Sequence, residues 1–583
     1  MLEIRSYQSE MLEHGMTSTG PIPTAQDPDG VYPYESFAET SRRSSIRLYQ
    51  FIALENAHIR VVICPDLGGK VYSMLHKASG KEVLHHAPIV RPIRILPRQF
   101  FVGGGIEVSF PISHTPVQIV PLHSRTERIG DRCYVWCGEQ ELRFGMQWTV
   151  EYSLGEDDAH LTQRTVFNNP TPSAHPWMSW SNAGVPVRPD TEYHYPKGPV
   201  LYHGEKMDII DWEKDGPRKQ EEMNRMAGYF WREPDCGAFG AFTPSLGSGL
   251  YHVADRDEVP GMKLWTDGIG PHEAFVTQYT LNGEQCLEIQ AGPIIDQSIK
   301  QELEPGVKRS HTEFWVPTDR RLSIYEIPLP EPKLIPLDDV PLFPYRSAEA
   351  SIWLELLDAH SRDDQSLCPQ PPIVSDNRWA PSGMEQLEAA LIWACKQSSG
   401  DTLARWRFQL GAWYAGCDRI DEAIEALVNS GEDRAEALAA RLYRRVKKDA
   451  RSSAACYSRI QSQVFALHPQ VVFERDMTLA LLGVETLAER ERWLTATSAL
   501  TDEWLVERRA ALAADKGNFA EAKQLLENTT FQLVHQRYAR TRLWKRIMIG
   551  LGLDDSIVPD WLGEDDLFVF GAYREYDEDE ENL

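Results

Sequence analysis

Four short segments in the second half of the chain share one design, and they constrain the fold more than any other feature. Asp418-Arg419-Ile420-Asp421-Glu422-Ala423, Asp449-Ala450-Arg451-Ser452-Ser453-Ala454, Gly483-Val484-Glu485-Thr486-Leu487-Ala488 and Gly517-Asn518-Phe519-Ala520-Glu521-Ala522 each set a turn-forming residue five positions before an alanine. Their starts lie 31, 34 and 34 residues apart. A period of about 34 is the signature of tetratricopeptide-type helix pairs, which bury an apolar face only by stacking on their neighbours. The alanine permits close helix approach, and the turn residue starts the second helix. Trp406, Trp413 and Tyr414 precede the first turn and are expected to fill the space between paired helices. The pattern divides the chain. Residues 348–560 are expected to form an α-solenoid, and any chemistry is expected ahead of it.

Ahead of it the text changes period. Met146, Trp148, Val150, Tyr152 and Leu154 alternate with Gln147, Thr149, Glu151 and Ser153, the period-two pattern of a half-buried strand. Arg60-Val61-Val62-Ile63 and Lys70-Val71-Tyr72-Ser73-Met74 flank the turn Pro65-Asp66-Leu67-Gly68-Gly69. Many strands punctuated by Pro and Gly, without long amphipathic helices, predict a large antiparallel β-sandwich over residues 45–327. Six prolines between Pro328 and Pro344 block helix and central strand alike, so residues 328–347 read as a stiff linker. Residues 1–44 read as a polar, irregular arm. Residues 561–583 are strongly acidic and read as a solvated, disordered tail.

With 583 residues the chain can bury two full cores. A formal charge of −26 disfavours nucleic acid as a partner, because phosphate would be repelled. No apolar run approaches the ~20 residues that span a bilayer, so no membrane partner is expected. Met1-Leu2-Glu3-Ile4-Arg5 does not resemble a secretory leader, and nine scattered cysteines without Cys-x-x-Cys read as free thiols. A cytoplasmic location follows as an expectation.

The candidate chemistry rests on carboxylates whose strands have an apolar opposite face. After Gly103-Gly104-Gly105, the run Ile106-Glu107-Val108-Ser109-Phe110 turns Glu107 and Ser109 to one side. Three glycines let the backbone approach a neighbour or a ligand closely. In Cys286-Leu287-Glu288-Ile289-Gln290-Ala291, Glu288 and Gln290 share a face. Either carboxylate projects into a cleft or lies on a solvated sheet face. The run Trp177-Met178-Ser179-Trp180-Ser181-Asn182 is followed by Glu192 and His194, and Trp265 lies beyond. Aromatics beside polar groups suit sugars, which present apolar C–H faces and a hydroxyl rim. His114, His175, His194 and His272 have no metal-ligand spacing, and no nucleotide loop occurs, so neither metal nor cofactor is expected.

Four motifs together carry a resemblance: Pro65-Asp66-Leu67-Gly68-Gly69-Lys70-Val71-Tyr72, Gly104-Gly105-Ile106-Glu107, Trp180-Ser181-Asn182-Ala183 and Leu287-Glu288-Ile289-Gln290-Ala291-Gly292-Pro293. They resemble a bacterial family that joins a galactose-mutarotase-like β-supersandwich to C-terminal tetratricopeptide repeats. The resemblance implies a carbohydrate ligand on the larger sheet. Mutarotases of the wider superfamily use a late-strand Glu as base and a central His as acid. Glu288 stands where that Glu is expected, and His175 lies near the position of that His in a different context. Glu107 is an additional carboxylate, and two carboxylates flanking one sugar are what glycosidic cleavage needs. The leading expectation is therefore a glycoside hydrolase with Glu107 and Glu288 as its acid–base pair. Trp180, Asn182, His114, Glu192, His194, Trp265 and Gln290 are its candidate sugar-contacting residues. A mutarotase or epimerase is the alternative, and a non-catalytic sugar-binding scaffold is the third. The repeats would pair subunits or bind a protein partner.

Overall fold

A computed structural model describes residues 2–562 apart from 19, 24–33, 35–36, 87–88, 97–98, 113, 115, 204–206, 225–226, 267–285, 298, 374–377, 500–501 and 532–536. The expected acidic tail falls outside the described residues from position 563 onward.

The first half is a sandwich of two sheets, antiparallel apart from one short parallel pairing. Among the described residues the larger has 13 strands. Its centre runs Gly261–Thr266, Cys286–Gly292, Trp180–Pro186, Gly105–Ser109, Lys70–His76, Ile59–Cys64 in spatial order. The smaller has eight described strands, with Arg132–Gln140, Gln147–Gly155, Leu161–Asn168 and Lys308–Thr318 side by side. The inward-facing residues of both sheets form the core. Trp148, Tyr152, Leu154, Ile106, Leu287 and Ile289 have no exposed surface.

Two expectations are corrected here. Within residues 1–44, taken as an irregular arm, Glu3–Ser18 forms a long strand paired with Phe37–Glu55. Most of Glu3–Ser18 is exposed or half-buried, so it never needed a clean apolar face to form. The second concerns Gln147–Gly155, whose polar residues Thr149, Glu151 and Ser153 are as buried as its apolar ones. The proline-rich stretch is the reason. It is strapped along the outer face of the smaller sheet, where Pro341 O accepts from Thr149 Oγ1 at 2.8 Å and Ile335 O accepts from Arg164 at 2.9 Å. Phe343 O accepts from Gln147 at 3.0 Å. Val340 packs with Tyr134, Trp136 and Val166. Proline suits this strap because a stiff, extended backbone loses little entropy on docking.

The second half is the expected helical solenoid, stacked from Leu387–Gln397 and Gly400–Gly416 to Phe519–Glu527 and Arg537–Leu551. Helices begin one or two residues after the turn residue at Ile420, Ala450 and Phe519, and in the third unit a 3₁₀ turn, Val484–Thr486, leads into the helix at Leu487. Asp418 and Gly517 adopt left-handed φ of 59° and 79°, and Asp449 instead caps its helix by accepting from Ser452 N at 3.0 Å. The packing alanine holds at the ends, where Ala423 and Ala522 are fully buried. In the second unit the buried small residue is Ser453, and in the third Ala488 is exposed. The solenoid is seated on the sandwich. Gly383 N donates to Leu142 O at 3.1 Å, and Ile22 exchanges two bonds with the Gln470 side chain at 2.9 and 3.2 Å. One apolar core runs continuously from Leu2 to Val471.

Candidate functional site

Strand register assembles the site. Glu107 pairs across with Asn182, Asn182 with Gln290, and Gln290 with Lys263. The next row sets Gly105, Gly184, Glu288 and Trp265 abreast. Residues directly opposite share a face, so these side chains point the same way. Ser181, with the opposite orientation, bonds residues of the smaller sheet. The site therefore lies on the outer face of the larger sheet. Glu107 and Glu288 stand two strands and two residues apart, about 12 Å between Cα atoms at ordinary strand spacings.

The glycines serve the protein's own backbone. A Cβ on Gly105 would meet Val71 O at 2.3 Å, and one on Gly104 would meet His85 O at 2.0 Å. This close approach lets the His85 segment bond to both Gly105 and Gly184, at 2.7 and 2.9 Å.

His114 comes from the loop after Gly105–Ser109. Its Nδ1 lies 3.3 Å from Glu107 Oε2, and its backbone N–H donates to Ser109 Oγ at 3.2 Å. Its φ of 53° is uncommon for a non-glycine residue, the kind of local strain that clusters at functional positions. Burial disfavours the charged imidazole, but Glu107 and then Glu288 outweigh it and hold the His114 pKa above the ordinary value. Burial likewise pushes Glu107 up. His114, Lys70 and the Gln118 amide overcome that and hold its carboxyl below the usual range. Glu288 goes the other way. Burial and the Glu107 charge raise it against the pull of His114 and Lys263, and its Oε2 accepts from Gln290 Nε2 at 2.5 Å.

Two lysines complete the charge pattern. Lys70 donates to Val102 O at 2.6 Å, and Lys263 to Gln297 Oε1 at 2.7 Å. Burial lowers both, Lys263 to about 7 even with Glu288 and Asp296 opposing the shift. The Lys263 ammonium also lies 4.6 Å from the Phe230 ring centre and 4.9 Å from that of Trp265. Trp265 is half-buried beside Gly228, and Trp180 packs edge-on to Phe230 at 6.0 Å. Asn182 is 3% exposed, and among the described residues neither its Nδ2 nor its Oδ1 meets a hydrogen-bond partner. A buried amide with both ends unmatched is rare, and ligand hydroxyls, which both donate and accept, match it.

Of the nine candidates, Glu107, Glu288, Trp180, Asn182, His114, Trp265 and Gln290 share this face. Glu192 and His194 do not. They lie on an edge strand of the smaller sheet, where Arg321 grips Glu192 at 2.6 and 2.9 Å and His194 meets Tyr251 Oη at 2.5 Å. His175 also lies elsewhere, bonded to Thr171 at 2.8 Å and stacked on Phe144. Sequence reasoning missed Lys70, Lys263 and Gln118. The one available signal was a lysine set among the apolar residues of each strand. Among the described residues no group of three His, Cys, Asp or Glu could hold a metal ion.

A family described as a domain of unknown function (DUF5107) matches residues 26–318, and one described as a C-terminal domain matches residues 353–547. The chain is 49% identical to a TPR-domain containing protein from Parabacteroides distasonis, with a TM-score of 0.94 over 97% of this chain and 98% of that one. A galactose mutarotase-like protein from Clostridium acetobutylicum aligns at 12% identity and a TM-score of 0.35, covering 46% of this chain and 95% of its own. One from Lactobacillus casei aligns at 11% and 0.35, covering 46% and 99%. The match over residues 26–318 and the full-length likeness to the Parabacteroides protein place this chain in the DUF5107 family, in its form with a tetratricopeptide-type C-terminal half.

Proposed function

We propose that the sandwich is a carbohydrate-active enzyme that isomerises a sugar by paired acid–base catalysis. The observation that carries this reading is His114, held against Glu107 and electrostatically coupled to Glu288 on one sheet face. Glu288, whose basicity burial and the Glu107 charge raise, takes the proton of the anomeric hydroxyl. His114, whose charged form Glu107 favours, gives a proton to the ring oxygen. The ring C–O bond breaks, leaving an open-chain aldehyde and neutral His114. Re-closure on the other face of the carbonyl returns both protons and yields the other anomer. Asn182 and Gln290 suit the hydroxyl rim, and Trp265 offers a flat surface to the C–H face. Proton transfer by a positioned group contributes about 10²–10⁴ in rate, most efficiently when its pKa lies near the operating pH.

One observation favours glycosidic cleavage as a second reading. The Glu107 and Glu288 pKa values are pushed apart, the pattern of a carboxylate base beside a carboxylic acid. NMR separates the two. Isomerisation predicts faster anomer exchange on a panel of free sugars, abolished in Glu288→Gln, with no new reducing ends from oligosaccharides. Reducing ends without faster exchange would replace the first reading by the second. Sugar binding by calorimetry with neither activity would sink both.

A further inference from the structure

The solenoid buries a cluster of arginines that its carboxylates do not fully match. Arg441, Arg444, Arg475, Arg490 and Arg508 are 1%, 2%, 3%, 2% and 4% exposed. Glu474 takes Arg441 and Arg444, and Asp476 takes Arg490 and Arg508. Arg490 also reaches Asp515, which is shared with Arg546. Arg475 stands between Glu474 and Asp476 in sequence, and no ion pair joins it to either. Its Nη2 donates to the Tyr457 carbonyl. Its guanidinium lies 3.8 Å from the Trp493 ring centre and 5.4 Å from the Tyr457 ring centre.

Among the described residues Arg475 Nε and Nη1 meet no hydrogen-bond partner, and neither do the Tyr457 hydroxyl or the Trp493 indole N–H. Each of these groups can donate, and the arginine and indole nitrogens can only donate. Burial pulls the Arg475 pKa down to about 10, which leaves it charged at neutral pH. The carboxylate whose charge favours the ionised Arg475 is that of Glu489, on the surface and 3.7 Å from Arg492. Buried charges are ordinarily paired, and among the described residues no ion pair joins this guanidinium to a carboxylate.

We propose that Arg475, Tyr457 and Trp493 form an anion site in the solenoid that takes an oxyanion, the carboxylate or phosphate group of a ligand. The planar guanidinium fork matches two oxygens at once, and stacking on Trp493 fixes its plane. Trp493 is half-buried and Arg492, stacked on it at 5.1 Å, is 68% exposed, so the route in lies beside the indole.

Calorimetry of the full chain tests this with inorganic phosphate and, separately, acetate, at constant ionic strength in chloride. Saturable binding of one ion per chain is expected for at least one of them. Arg475→Gln should weaken it at least tenfold, and Tyr457→Phe, which keeps the ring, several-fold. Tighter phosphate binding assigns the site to a phosphate source, and tighter acetate binding to a carboxylate source. If Arg475→Gln does not fold, Tyr457→Phe alone decides. Binding of neither ion, or unchanged affinity in the variants that fold, overturns the proposal.

Discussion

Ser181 and Asn182 are neighbours on one strand, and the polar clusters they join differ in kind. Ser181 faces between the sheets. Its Oγ donates to Glu313 Oε2 at 2.7 Å and accepts from Gln163 Nε2 at 2.7 Å. His252 and His311 approach the same carboxylate at 3.1 and 3.3 Å. Burial drives Glu313 up, but these bonds overwhelm it and hold the carboxyl at about 2. Asn182 faces outward between Glu107 and Gln290, with both amide atoms unmatched. Both clusters hold a glutamate against histidine. What separates them is saturation. A carboxylate whose lone pairs are filled by the protein stabilises the fold, whereas an unmatched amide beside shifted acid and base is ready for a ligand.

That contrast can be broken at either cluster. The largest effect is expected at Glu288 or His114, where Glu288→Gln or His114→Asn should cost about 10²–10⁴ in sugar turnover with little change in melting temperature. An unchanged rate in anomer-exchange NMR would remove the outer cluster's claim to function. Glu313→Gln should do the reverse, costing about 3 kcal/mol of stability by chemical denaturation, the worth of a shift from 4.5 to about 2. The sign follows from a depressed carboxylate. This stability is present above about pH 4.5 and fades as pH falls toward 2, so the variant should lack that acid limb. Glu107→Gln should remove the charge that raises His114. The alkaline limb of the rate profile, where His114 loses its proton, then moves to lower pH. A profile that falls in height without shifting would make Glu107 a direct participant. Asn182→Ala should weaken sugar binding by roughly 1–3 kcal/mol, read by calorimetry. Glu192→Gln, at the edge of the other sheet, should stay within about 0.5 kcal/mol in stability and leave turnover unchanged.

The sequence carried the architecture well where a period repeats. Alternation found the strand through Trp148 and Tyr152, and the 34-residue spacing found the solenoid. Alternation also put Glu107 and Ser109 on one side, and the sheet pairs them with Asn182 and Trp180. It could not say which sheet a short strand joins, so Glu192 and His194, polar residues among aromatics, resembled a sugar site from the wrong layer. Lys70 and Lys263 were hidden because a lone lysine in a strand has the pattern of a solvated face, and only the loops above bury it. Thr149 and Glu151 misled for a related reason, since the segment that covers them lies nearly 200 residues downstream. The exposed Ala488 marks the limit of repeat logic.

The bond between Ile22 and Gln470 spans 448 residues. At ordinary elongation rates of about 5–20 residues per second, Ile22 leaves the ribosome roughly 20–90 seconds before its partner exists. Until then the first hairpin of the sandwich presents an unsealed end, and the outer face of the smaller sheet likewise waits for Pro341 and Phe343. This places the protein's exposure to misassembly during its own synthesis, in the tens of seconds when its earliest strands are made but not yet closed by its latest helices.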